Sequence, residues 1–411
     1  MGDRGQLLPL FAFPVAARRV MAARNDTLKV LLLPSWYPTA RYPVGGVFCR
    51  TQAQALASTR DVDLVVLFVD RAPLREWLRG WRKRAALRDE EGVKVYRTQM
   101  PRLPGVWPMF YVVWAYLSMR RLSRRYGLKP DVVHAHVSLP AGLAGALIKR
   151  LSGVPLVLTE HTSPFSLLMR NPLAALTTRT ALRAADRRIA VSQALRREIL
   201  AYPQLRMPID VIPNVVDASA FSAPRRERNP GEPYRILFVG EMETSRKGIE
   251  YLLNALPILK ERGWDVFLTL VGEGRNRGEY EALARQLGVA GTCHFHGLAP
   301  HGEIAHFMSE ADIFVLPSLA ETFGVVLVEA MAAGLPVVAT RCGGPEELVS
   351  PDLGVLASPG DAEALASGIM DVLGRLDDFS EEHSRQVADA RYGQASVAGR
   401  LVSLYREIVG R

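Results

Sequence analysis

Residues 317–339 read Pro317-Ser-Leu-Ala-Glu321-Thr-Phe-Gly324-Val-Val-Leu-Val-Glu329-Ala-Met-Ala-Ala-Gly334-Leu-Pro-Val-Val-Ala339. The apolar run Ile313–Val315 stops at Pro317 and Ser318, as a buried strand does. Glu321 then falls in a loop, Phe323-Gly324-Val325 opens a helix reaching Ala333, and Val337-Val338 starts another strand. Strand, crossover helix and strand form the unit from which parallel sheets are built. The loop before such a helix has a chemical use. Free backbone N–H groups and the positive end of the helix dipole seat phosphate or sugar oxygens, and Gly324 permits close approach. Glu329 lies just inside the helix, and a carboxylate accepts hydrogen bonds from two vicinal hydroxyls.

The same alternation extends outward from this unit. Strands are expected at Arg235–Val239, Val266–Val271 and Thr292–Phe295, with helices at Ile249–Glu261, Glu279–Leu287, His301–Ser309 and Asp361–Leu376. The charged, proline-bearing stretch Pro224–Pro233 reads as a linker. Before it, strands are expected at Leu28–Leu33, Val62–Val69, Val93–Thr98, Asp131–His136, Leu156–Thr159 and Ile189–Ser192. The expected fold class is α/β, with two Rossmann-like domains whose parallel sheets face each other across a cleft. The expected boundaries are an extension at 1–27, a first domain at 28–217, a second at 218–390 and a C-terminal helix at 391–411 packing back toward the first.

The totals bound the function. At 411 residues the chain holds more than one small core, and 48% hydrophobic with 23% charged residues is ordinary globular composition. No apolar run reaches the eighteen or so residues of a membrane span. The three cysteines, Cys49, Cys293 and Cys342, fit neither a disulfide framework nor a zinc site. They point to a reducing cytosol and to small hydrophobic roles. The net charge of +9 is unevenly spread: residues 1–200 hold 32 Lys+Arg against 13 Asp+Glu, a net +19, which leaves −10 for the remainder. That asymmetry suggests an anionic partner for the first half, nucleic acid or anionic lipid. Residues 1–27 weakly imitate a signal peptide, but Pro9, Pro14 and Arg18-Arg19 interrupt it, and Met21 leaves room for an extended or misassigned start.

The stretch from Glu321 to Ala339 resembles the paired-glutamate motif of the retaining glycosyltransferases of family 4 (glycosyl transferases group 1), which have the GT-B fold. The resemblance runs from about Leu28 to the C-terminus. It implies that Glu329 takes the nucleotide ribose and Glu321 the hydroxyls of the donor sugar, with Phe323, Gly324 and Val325 lining the donor site. Phe238-Val-Gly240-Glu241-Met-Glu-Thr-Ser-Arg246-Lys247-Gly248 follows a strand and precedes a helix. There the family places an arginine after the first glycine and a lysine six residues later, both holding the diphosphate. Lys247 matches. Glu241 stands where the arginine belongs, so either Arg246 compensates or the donor is held differently.

Gly45-Gly46, after the first strand, looks like the family's glycine loop, and Thr159-Glu160-His161-Thr162-Ser163 resembles its Thr-x-His segment. His161 is the expected contact to the transferred sugar, and Lys247 the expected stabiliser of the leaving group. His134 and His136 alternate on one strand face and read as packing or second-layer residues, with no third ligand for a metal. His294 and His296 read as structural.

The resemblance implies a hexosyltransferase that keeps the anomeric configuration and uses neither metal nor cofactor. Its donor would be a UDP- or GDP-linked sugar, and its acceptor a glycan or lipid-linked molecule. No Asp-x-Asp metal motif appears. Ser35-Trp36-Tyr37-Pro38 with Val44–Phe48 resembles bacterial members that build exopolysaccharide or teichuronic-acid-type glycans. An epimerase of the same shape and a noncatalytic nucleotide-sugar sensor remain as alternatives. The charge is not accompanied by a nucleic-acid-binding motif, so no nucleic acid is expected. Arg71–Arg88 interleaves arginines with Leu74, Trp77, Leu78 and Trp81 at helical spacing. As one amphipathic helix it would hold the protein on an anionic bilayer, with the expected location the cytoplasmic face of the plasma membrane.

Overall fold

The computed structural model describes residues 27–80, 85–102 and 107–410. The expectations for residues 1–26, and for Trp81 with Arg82, Lys83 and Arg84, lie outside the described residues. The first half contributes β1 (Leu28–Pro34), β2 (Val62–Ala72), β3 (Ala86–Glu90) and β4 (Val93–Pro101). It continues with β5 (Val132–His136), β6 (Leu156–Glu160), β7 (Arg187–Ala190) and β8 (Asp210–Val211). These eight form one sheet in the order β3-β4-β2-β1-β5-β6-β7-β8, parallel except for the β3–β4 pair. The second half contributes β9 (Tyr234–Val239), β10 (Val266–Val271), β11 (Cys293–Gly297), β12 (Ile313–Leu316), β13 (Val337–Thr340) and β14 (Gly354–Ala357). They form a parallel sheet in the order β11-β10-β9-β12-β13-β14.

Each sheet reverses its strand order beside its first strand, β1 and β9. In such sheets ligands bind outside the carboxyl ends of the strands at that switch point. The segments the sequence singles out lie there: the Gly45-Gly46 loop beyond β1, His136 at the end of β5, and Gly240–Lys247 and Glu321 beyond β9 and β12.

Burial on both sheet faces explains the unbroken apolar strands. Leu28 and Val30 to Leu33 of β1 are all buried, splitting between two hydrophobic clusters on opposite faces. One of these clusters includes Val397, Leu401 and Tyr405 of the C-terminal helix Gln394–Val409. That helix packs beside the helix Val47–Ala57 of the first half, with the hydroxyl of Tyr405 2.6 Å from His134 Nδ1. Arg187 to Glu407 at 2.7 Å and an Arg406–Asp61 ion pair add to the same seam.

The stretch Arg71–Arg88 departs from its expectation. Strand β2 continues through Arg71 and Ala72, a helix of seven residues covers Leu74–Gly80, and β3 takes up Ala86–Glu90 as an antiparallel edge strand. Trp77 turns inward, with Nε1 donating to the Gln99 carbonyl at 3.0 Å and its ring edge-on to Trp114 at 6.1 Å. Leu74 and Leu78 stay exposed. Helical spacing is present, but β4 pairs with both flanks, so Arg71, Ala72 and Ala86–Glu90 lie in strands.

Candidate active site

The second-half wall is built by two loops pressed together at their backbones. Gly248 takes a φ of +66°, and a side chain there would meet the Pro317 carbonyl oxygen at 2.0 Å, so only glycine fits. Leu319 N–H donates to the Arg246 carbonyl at 2.8 Å. This packing brings Lys247, at the end of a short 3-10 turn, against Glu321: Nζ to Oε2 is 2.7 Å, both side chains only about 15% exposed. Glu321 is itself pinned through its backbone, its N–H donating to Cys342 and its carbonyl accepting from Gly344 N–H. Beyond it the helix Val325–Ala332 begins after Gly324, with no acidic residue in its first turn.

Glu329 projects from that helix. It is 7% exposed, and among the described residues its basic neighbour is His301, whose Nδ1 lies 4.0 Å from Oε1. Burial pushes its carboxyl up to about 7. Burial first, and then the charge of Arg50, push His301 down, so this neighbour does not stand as a fixed cation. Glu329 is therefore a largely buried carboxylate that still has hydrogen-bonding capacity to offer. Phe323 differs from its neighbours: it is buried with its ring edge-on to Tyr392 at 5.7 Å, so packing occupies its side chain. Val325 is half-buried at the head of the helix.

Glu241 follows Gly240 at the end of β9, and Arg246 answers its charge: Nη2 lies 3.5 Å from Oε1. The same guanidinium crosses the cleft, Nη1 donating to the Ser163 carbonyl at 2.5 Å. A second crossing links the walls. Glu347 accepts from the backbone N–H of Gln193 at 2.8 Å and of Ala194 at 2.6 Å.

On the first-half wall, Gly46 takes a φ of +74° under the Trp36 carbonyl and starts the helix Val47–Ala57; Gly45 closes the turn onto Tyr42. Phe48 of that helix lies on the ring of His161, centroids 4.5 Å apart, which joins the glycine loop to the Thr-x-His segment. Glu160 is fully buried and locks the segment. One oxygen accepts from His161 N–H, Thr162 N–H and the Thr162 hydroxyl, and the other from the backbone and hydroxyl of Ser138.

Parallel register sets His136 beside Thr159, so His136 Nδ1 comes to 2.9 Å from His161 Nε2. His134 and His136 are both completely buried, their rings 4.5 Å apart. Burial drives all three imidazoles down, His136 to about 3 and the others well below the ordinary range, so the wall is uncharged near neutrality. His294 and His296 lie apart from this wall, on exposed positions of β11.

The sequence reading missed His301, Arg50, Gln52 and Glu347. Arg50 and Gln52, within six residues of Gly46, stood near a motif already in view. What none of the four showed was its partner, which comes from an element distant in the chain. Among the described residues no three of His, Cys, Asp and Glu gather to hold a metal ion, and no helix is long and apolar enough to cross a membrane.

Family comparisons follow the same division of the chain. Residues 221–387 match the glycosyl transferases group 1, and residues 45–220 match glycosyltransferase family 4. The chain is 29% identical over 359 residues to TuaC of Bacillus subtilis, assigned to teichuronic acid biosynthesis as a glycosyltransferase, covering 83% of this chain and 88% of that protein. It is 32% identical over 289 residues to the phosphatidyl-myo-inositol mannosyltransferase of Mycolicibacterium smegmatis, covering 68% and 72%. Among solved structures it resembles Anabaena Alr3699/HepE in complex with UDP-glucose, with a TM-score of 0.67 at 20% identity, covering 92% of this chain and 100% of that one.

Proposed function

The chain belongs to the family 4 glycosyltransferases of GT-B fold, and from that footing we propose that it transfers a sugar from a nucleoside-diphosphate donor to a glycan or lipid-linked acceptor, with the anomeric configuration kept. One observation carries this reading. Lys247, Glu321 and the start of the helix Val325–Ala332 stand together, with the buried carboxylate of Glu329 on the same helix.

In this reading the diphosphate lies against Lys247 and the helix N-terminus, which neutralise it without a metal. Lys247 exchanges Glu321 for phosphate, and Glu321 turns to the sugar hydroxyls. Glu329 accepts from the ribose hydroxyls. The bond between the anomeric carbon and the phosphate oxygen breaks, its electron pair going to that oxygen. The acceptor hydroxyl forms its bond on the same face and gives its proton to the departing phosphate. Glu241, whose presence would favour a noncatalytic sensor, is matched by Arg246 and leaves the phosphate seat to Lys247.

The acceptor side fits a membrane-held substrate. Arg71 lies over the Trp107 ring at 4.3 Å and Trp77 against Trp114, so the helices Leu74–Gly80 and Trp107–Tyr126 form one surface. It exposes Leu74, Leu78, Met109, Val113 and Leu117 beside Arg120, Arg121, Arg124 and Arg125. Each basic residue near an anionic leaflet contributes about 1 kcal/mol, enough in sum for reversible attachment to the cytoplasmic face. The phosphatidyl-myo-inositol acceptor named for the mycobacterial relative agrees with a lipid-linked substrate.

The test is a panel of UDP- and GDP-sugars with lipid-linked and soluble glycan acceptors, following nucleotide release and the anomeric configuration of the product. Release that depends on acceptor and yields a retained linkage supports the reading; an inverted linkage or an epimerised donor overturns it. Flotation with anionic vesicles tests the surface. Binding should weaken at high salt and when Val113 and Leu117 become Ser, and vesicle binding indifferent to both overturns the membrane assignment.

A further inference from the structure

The first-half wall contains a hydrogen-bond chain whose direction is fixed at its far end. Gln52, 3% exposed in the helix Val47–Ala57, sets its Nε2 at 3.4 Å from His136 Nε2. A carboxamide nitrogen only donates, so His136 Nε2 is the bare, accepting nitrogen. A neutral imidazole carries one N–H, which places that of His136 on Nδ1, 2.9 Å from His161 Nε2. His161 Nε2 is then the acceptor, and its own proton falls on Nδ1. That nitrogen is buried, and the side chain of Asn214, whose Oδ1 is likewise buried and without a close partner among the described residues, stands beside the ring. A donor and an acceptor left without close partners cost free energy, and a ligand hydroxyl satisfies both, accepting from His161 Nδ1–H and donating to Asn214 Oδ1.

We propose that Gln52 and His136 are positioning residues: acting in series, they hold His161 in the Nδ1–H tautomer and so keep a neutral N–H donor beside the Asn214 side chain for a ligand hydroxyl to pair with. The proposal rests on the transferase reading for the identity of the ligand, not for the tautomer itself. Neutrality is part of the device, since a cationic His136 would donate from both nitrogens and erase the direction. Three features guard it: complete burial of His136, the adjacent His134 ring, and the stacked ring of His161 at 5.1 Å. His134 is separately occupied, by Thr159 Oγ1 at 2.7 Å and the Tyr405 hydroxyl, and takes no part in the chain.

Long-range nitrogen–proton correlation spectra of protein labelled with ¹⁵N in its eight histidines read the tautomers directly, without turnover. In the wild type, His161 and His136 should both appear as Nδ1–H. An Nε2–H signal for His161 overturns the proposal without need of any variant. His136→Asn keeps a donor near the Nδ1 position and should preserve the His161 tautomer. His136→Leu removes it and should release His161 toward Nε2–H, with kcat falling about tenfold and KM changing less. The Asn variant should lose less kcat than the Leu variant. An unchanged His161 tautomer in a folded Leu variant, or equal losses in the two, overturns the positioning role. Absence of turnover in wild type with every donor would count against the transferase reading while the spectra still judge the tautomer.

Discussion

The two walls of the cleft begin as the same architecture, parallel strands ending at a switch point, and finish in opposite chemistry. At the end of β5 and just past β6 stand imidazoles kept neutral by burial and tied into a directed chain. Beyond β9 and β12 stand Lys247, Glu321, Arg246, Glu241 and Glu329, four of them in two ion pairs and the fifth a carboxylate with unspent acceptors. A diphosphate carries charge that needs an answering charge, whereas hydroxyls need only aligned dipoles. One wall is built to exchange ionic partners, the other to hold still.

The sharpest way to break this contrast is to discharge the ionic wall. Lys247→Ala removes the cation expected on the leaving group and strands Glu321 in a half-buried position. Turnover should fall about 10²–10³-fold, as when a preorganised electrostatic contact is lost. Steady-state nucleotide release measures it, and a loss under about threefold would place the diphosphate elsewhere.

Glu329 comes next. Glu329→Ala should weaken binding of free nucleoside diphosphate by about 1.5–3 kcal/mol, read by calorimetry on the folded variant. Its raised pKa gives a direction with pH. The ionised form accepts two hydroxyls, so nucleotide affinity should rise as pH climbs through about 7, and Glu329→Gln should abolish that part of the dependence. Stability runs the other way. A carboxyl whose pKa is raised on folding binds its proton more tightly in the native state, so its ionisation destabilises the fold progressively from about pH 4.5 up to 7.

A smaller effect is expected at Glu241. Glu241→Arg places two guanidiniums where one ion pair stood, and Arg246 also loses its hold on the Ser163 carbonyl. Turnover should fall while affinity for free nucleotide stays level or improves. A variant that is folded but loses both would mean that Glu241 supports the nucleotide seat itself.

How much of this was legible depends on distance along the chain. The strand ends and the Lys247, Glu321 and Glu329 constellation could be read because each strand is a continuous apolar run and each motif is compact. Arg71–Arg88 misled because helical spacing says nothing about neighbours: β4 recruits both flanks into the sheet. His161 was readable at a strand end, but its tautomer depends on Gln52 and His136, which register and packing bring to it from 109 and 25 residues away. Phe323 sits in a donor motif, yet Tyr392 claims its ring. Cross-chain partners of this kind carry no local signal.

The smallest effect concerns how the walls meet. The helix Gln193–Leu200 opens with orphan backbone donors, as every helix does. Ser192 takes that of Leu195, and Glu347, from the opposite wall, takes those of Gln193 and Ala194. A carboxylate at a helix N-terminus also meets the positive end of the dipole. Glu347→Ala hands two donors back to water, which solvates them well, so the fold of each half should hardly change. What changes is the preference for the closed arrangement. An N-cap contact is worth about 1 kcal/mol, which shifts an open-to-closed ratio about fivefold. Small-angle scattering of the nucleotide-free variant should show a larger radius of gyration than wild type, while thermal unfolding moves by only a degree or two. Adding donor should restore the wild-type value if, as proposed, Lys247 and His161 hold a common ligand between them. Equal radii with and without Glu347 would leave Arg246 and Ser163 as the contact that closes the cleft.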